Sequence, residues 1–174
     1  YHSSFEDPSK PVLVFRGTAN NDEFRKDWTT NILQGLGFQT NQYNQSAKIG
    51  LEMKRKYRGG FDIAGHSKAG GQTALVAATT GQSGFGFNSA GIHPKTLANY
   101  GLGKESLKNN LDSFNFKYDV LNDVQDRISF IKKAAGKRHM LEPVDENGKG
   151  LPKPVSDSLF SKKGMKQKID YHSM

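Results

Sequence analysis

The sequence predicts an α/β domain: a mostly parallel sheet with helices on both faces, spanning residues 1–174 as a single unit. Three observations predict it. Short continuous apolar runs, such as Val-Leu-Val-Phe at 12–15, have the pattern of strands buried on both faces. These runs alternate with stretches of helical spacing, which calls for parallel strands joined by right-handed crossovers. Residues 61–78 then read as a short buried strand, a sharp turn with Ser67 at its tip, and a helix of small residues.

In chain order, residues 1–10 are polar and are expected to be a loose arm, and 12–15 are expected to form the first strand after Pro11. Arg16-Gly17-Thr18 ends it, and a polar loop over 19–26 leads into Asp27-Trp28-Thr29-Thr30-Asn31. From Tyr43 through Ala47, Leu51 and Lys54 the spacing is helical, closing on a basic last turn and Gly59-Gly60. After the Ser67 helix, residues 85–91 read as another strand, and Pro94 starts a helical piece. Leu107 with Leu111 suggests a further helix. Residues 118–124 look like a strand that turns out at Asn122-Asp123. Residues 142–164 hold Pro143, Gly148, Gly150, Pro152, Pro154 and Gly164, a connection long enough to be functional or disordered.

Composition bounds the chemistry. A chain of 174 residues can bury a core without staples. The mean hydropathy of −0.69 describes a soluble protein, and no apolar run approaches the roughly 18 residues of a membrane span. With no cysteine, the chain has no disulfide, no thiolate metal site and no thiol nucleophile. The five histidines show no metal-ligand spacing. Net charge is +8, and residues 131–174 carry ten Lys/Arg against five Asp/Glu. Such a field suits an anionic partner or serves solubility alone. For nucleic acid there is charge but no stacking motif or base-reading helix, which argues against that partner.

Gly65-His66-Ser67-Lys68-Ala69 carries the chemistry. The pattern is short enough to arise by chance in a chain rich in Gly, Ala and Ser, so its context matters: a strand before it and a helix after it. A turn that pushes Ser67 into an exposed, strained position leaves room only for small residues two places away, and Gly65 and Ala69 satisfy that. Neutral serine is a poor nucleophile and needs a base within hydrogen-bond reach, itself oriented by a carboxylate. Without strand and helix around it, the same serine would be an ordinary turn residue.

Val14-Phe15-Arg16-Gly17-Thr18, Asp27-Trp28-Thr29-Thr30-Asn31, Gly65 through Gly71, Phe87-Asn88-Ser89-Ala90-Gly91, Leu121-Asn122-Asp123-Val124 and Tyr171-His172-Ser173-Met174 occur in this order. Together they resemble the class 3 (fungal-type) lipase family, and more narrowly its bacterial branch that includes phospholipase toxins delivered into rival cells. The resemblance implies an α/β-hydrolase with Ser67 as nucleophile, Asp123 as acid and His172 as base, in the chain order that fold uses. It implies an oxyanion hole from the backbone N–H groups of Thr18 and Lys68, and a lid or substrate-binding loop carrying Phe24 and Trp28. No metal or other cofactor is expected. The family ordinarily has strands ahead of the one at Val12 and a helix after this histidine, so the resemblance implies a shortened copy.

Competitors for each role stay open. Asp119 and Asp126 lie near Asp123, and His66, His93 and His139 are further imidazoles. Lys68 beside the nucleophile suits a phosphate-bearing head group or is simply solvated. The leading expectation is a serine phospholipase acting on membrane phospholipids, secreted or delivered into a target cell. Its expected partners are a lipid ester substrate, an anionic membrane surface and an immunity protein that blocks the site. The competing readings are another acyl hydrolase or acyltransferase of the same fold, and a non-catalytic membrane-binding module.

Overall fold

The computed structural model describes residues 2–3, 10–17, 40–127, 132–154, 166–168 and 170–171. Its centre is a six-stranded sheet in the order β1-β2-β3-β4-β5-β6, formed by His2–Ser3, Pro11–Phe15, Asp62–His66, Gly84–Phe87, Leu111–Phe116 and Lys137–Leu141. β2 to β6 run parallel, and β1 pairs antiparallel with β2. The α/β expectation is met. Helices α1 (Thr40–Lys56), α2 (Ala69–Thr80), α3 (Pro94–Ala98) and α4 (Val120–Arg127), with a 3₁₀ turn at Lys104–Leu107, fill the crossovers.

The core explains which residues became which element. Along β2 and β3 alternate residues are buried, and Leu13 and Ile63 pack with Met53 and Val76 from the helices and with Phe61, which immediately precedes β3. Ala74, Leu75, Ile92, Leu97, Leu107 and Leu111 form the adjoining cluster. Nearly every residue of α2 is buried, because it lies between the sheet and α1, and that is why it is built from Gly, Ala and Thr. Tyr43 of α1 is partly buried against the same helix, and desolvation pushes its phenol up to about 12, so it stays neutral.

Three expectations are corrected, and one strand is added. Residues 118–124 are not a strand: β5 ends at Phe116, Tyr118 turns the chain at φ 64°, and α4 begins at Val120. Asp119 Oδ1 accepts the Asn122 N–H at 2.9 Å, and this cap starts a helix where apolar content alone suggested a strand. Leu107 and Leu111 do not share a helix, since the first ends a 3₁₀ turn and the second opens β5. The N-terminal segment is not all loose: His2 and Ser3 pair with β2, and Lys10 Nζ lies 2.8 Å from Asp62. β6 had no counterpart in the sequence reading. Its exposed residues, Lys137, Met140 and Leu141 among them, carry none of the apolar alternation of a half-buried strand, because it is an edge.

No described helix is long and apolar enough to cross a membrane. Within the Pro/Gly-rich connection, Val144 bridges Gly150 around a turn at 145–148.

Candidate active site

The site grows from the end of β3. Ser67 has φ 57°, a left-handed conformation that non-glycine residues adopt only when their surroundings enforce it. Three backbone hydrogen bonds enforce it here. The Ser67 N–H donates to Phe87 O at 3.0 Å, and the Ser67 carbonyl accepts from Gly70 N at 3.0 Å and Ala90 N at 2.9 Å. Ser67 is thereby fixed between the start of α2 and the loop after β4. Lys68 precedes the first turn of α2 in helical conformation, so its N–H belongs to the unpaired, electropositive end of that helix.

Close approach dictates the small residues. A Cβ on Gly65 would collide with Thr73 Oγ1 and come within 2.8 Å of Ala69 O. Gly65→Ala is therefore expected to lower stability by about 1–3 kcal/mol, read as a reduced urea midpoint. A Cβ on Gly17 would lie 2.6 Å from His66 O and 3.5 Å from Ser67 Cβ. The end of β2 thus abuts the turn, and the next residue in sequence is the oxyanion candidate Thr18. Thr18, Phe24, Trp28 and His172 lie outside the described residues.

All three acid candidates are described, in different settings. Asp119 is fully buried at the start of α4, and the Asp123 N–H donates to its carbonyl at 3.0 Å. Asp123 sits one turn on, with Oδ2 2.6 Å from Lys168 Nζ. The Lys168 side chain is only 2% exposed, so this is a largely buried ion pair. Asp126 is taken up by Lys133 at 2.7 Å.

The other histidines are placed by geometry. His93 caps α3, its Nδ1 accepting from Lys95 N at 3.1 Å. His139 Nε2 is 2.6 Å from Asp112 Oδ1, and its ring stacks on Phe114 at 4.7 Å. In register His66 pairs with Phe87, Phe87 with Phe114, and Phe114 with His139. Three strand spacings of about 4.8 Å put His139 about 14 Å from the elbow, out of reach of Ser67. His66 lines a cavity of about 420 Å³ beside the elbow, together with Val14, Phe15, Ala64 and Phe87. Val14 is 55% and Phe87 45% exposed, so the sheet face beside the nucleophile is apolar and open.

The sequence reading missed the residues that hold the loop after β4. Asn88, buried at φ 42°, accepts the Phe116 N–H on Oδ1 at 2.8 Å, and Asn115 Oδ1 accepts the Ser89 N–H at 3.2 Å. Gln125 Nε2 donates to Ser89 O at 3.1 Å. The available signal was the run Leu-Asp-Ser-Phe-Asn-Phe in β5, which places Ser113 and Asn115 on the buried face, where a strand ordinarily carries apolar residues.

Two comparisons bear on this geometry. A family model described as the Tle-like phospholipase domain matches residues 1–153. An extracellular phospholipase A1 from Serratia liquefaciens is 34% identical over 130 residues, which cover 72% of this chain and 40% of that protein. The chain thus spans less than half the length of the relative it matches. A serine elbow at the end of a parallel strand, a family match over most of the chain and a relative at this identity agree, and the chain belongs to the Tle-like phospholipase domain family.

Proposed function

We propose that the chain is a serine esterase of phospholipids, with Ser67 as nucleophile and His172 as base. The observation that carries the reading is the left-handed Ser67 between β3 and α2, clamped from both sides by backbone hydrogen bonds. That turn sets Ser67, 5% exposed, between the end of β3 and the first N–H groups of α2. Ser67 Oγ attacks the ester carbonyl as His172 takes its proton. The negative charge that develops on the carbonyl oxygen is met by the backbone N–H groups of Lys68 and Thr18, each worth about 10²–10³ in rate. His172 returns the proton to the departing glycerol oxygen, which releases a lysophospholipid, and water frees the fatty acid by the same relay. The open apolar groove lined by Val14, Ala64 and Phe87 suits the acyl chain.

For the acid, the reading takes Asp119. Asp123, the carboxylate the resemblance implies, has Oδ2 engaged by Lys168, whereas Asp119 lies three residues past the end of β5 and is fully buried. In sequence Asp119 stands four residues before Asp123 and His172 four after Lys168. The Lys168–Asp123 contact brings the segment that precedes His172 onto α4, which carries Asp123 and begins just after Asp119. Phe24 and Trp28 are read as the lid. The word extracellular in the relative's name supports secretion; delivery into another cell, an anionic membrane as the working surface and an immunity protein as the inhibitor are what the family resemblance adds to the reading.

The direct test is mass spectrometry of mixed phospholipid vesicles after incubation with the full chain and with Ser67→Ala. Fatty acid and lysophospholipid are expected from the first alone. The lysophospholipid isomer reports whether the A1 activity of the relative is shared. Equal vesicle binding by both proteins, with no ester cleaved by either, would instead identify a binding module.

A further inference from the structure

A second cavity, of about 810 Å³, lies away from the elbow, within the size range of sites for small ligands. Its strand-borne wall is the start of β6 at Lys137, and the 3₁₀ turn that leads into β5 adds Lys104 and Leu107. Ser67 follows the opposite, carboxyl end of β3. We infer that this cavity binds an anionic lysophospholipid, the product class of the reaction proposed above, and the inference rests on that reading for the identity of its ligand.

Three features of the wall define the ligand. Ile92, Leu97 and Leu107 form an apolar surface suited to one acyl chain. Lys104, Lys108, Lys132 and Lys137 stand around it, and among the described residues none of the four is in an ion pair. The acidic residue on the wall, Asp126, is matched by Lys133 at 2.7 Å and Arg138 at 3.7 Å, so the cavity keeps a cationic rim. The third feature is Gln125, 1% exposed. Its Nε2 donates to the Ser89 carbonyl, which can only accept, and this fixes the amide so that Oε1 is a buried acceptor with no partner.

A ligand that answers all three carries an anionic head, a single chain and a hydroxyl donor. A fatty-acid carboxylate lacks the donor, and a polynucleotide leaves the apolar wall uncovered. Deacylating a phospholipid uncovers a glycerol hydroxyl beside the phosphate, and so produces the full set.

The test uses the full chain with Ser67→Ala, so that no turnover intervenes, and lauroyl lysophosphatidylglycerol below its micelle concentration, followed by calorimetry. In the same background Lys104→Gln, Lys108→Gln and Lys132→Gln are combined. The triple substitution is expected to weaken binding by about tenfold or more, the scale of lost charge-assisted contacts to phosphate. Laurate is expected to bind about tenfold more weakly than the lysophospholipid, for want of the hydroxyl. Circular dichroism checks the fold of the triple variant, and with Ser67 restored its cleavage of a short-chain nitrophenyl ester should match the parent's. Unchanged lipid affinity in the triple variant, equal binding of laurate, or binding of oligothymidylate in place of the lipid would overturn the assignment. If vesicles yield no product while the triple substitution still abolishes lipid binding, the esterase reading fails and this site stands.

Discussion

Replacing Ser67 with alanine is expected to lower ester turnover by about 10⁶, the scale found when the nucleophile of a comparable triad is removed. The loss should fall on kcat. The chain has no cysteine to substitute as nucleophile, and the conformation at Ser67 is held by backbone hydrogen bonds to Phe87, Gly70 and Ala90 that alanine keeps. The urea midpoint of the variant should stay close to that of the parent. Steady-state turnover of a soluble short-chain ester checks the prediction, and residual activity above about a tenth of the parent's would remove Ser67 from the chemistry.

The second large effect separates the two carboxylates. Asp119→Asn is expected to cost about 10⁴ in kcat, as when the acid of a triad loses its charge and the base its correct tautomer. Asp123 is predicted to act through packing. Its single replacement by Asn leaves the enclosed Lys168 ammonium without its carboxylate, a loss of about 3–5 kcal/mol. Replacing both members, Asp123→Leu with Lys168→Met, removes both charges of the pair together, and such exchanges are often neutral or stabilising. The double variant is therefore expected to keep its activity within about tenfold. Paired measurement of kcat and of the unfolding midpoint decides the matter: a collapse of kcat in a folded double variant would give the acid role to Asp123.

Much of the fold was legible because it is written in local pattern. The apolar run after Pro11, the small residues flanking Ser67 and the basic last turn of α1 each obey a rule that acts over a few residues. β2, β3, α1 and α2 therefore appear where the sequence predicts them, with boundaries shifted by a few residues. α4 was misread because a run such as Tyr-Asp-Val-Leu-Asn-Asp-Val has strand composition. Asp119 capping the Asn122 N–H and the left-handed Tyr118 decide for helix, and both are settled by the end of β5 and its neighbours. β6 was invisible for the opposite reason: an edge strand owes its existence to hydrogen bonds offered by β5, and its side chains need not alternate.

At the site the division is similar. By itself the sequence offered the nucleophile candidate and excluded thiol chemistry within this chain, since these depend on residue identity and on a turn whose steric demands are local, whereas the order Ser, Asp, His came from the family resemblance. Tertiary structure alone decided which groups are neighbours. It set His139 three strands from Ser67, brought Lys168 from 45 residues away onto Asp123, and placed Gln125, with its unpaired buried acceptor, in the wall of a lysine-rimmed cavity. Charge pairing and burial depend on distances between segments far apart in the chain, and those distances exist only once the sheet has ordered its strands.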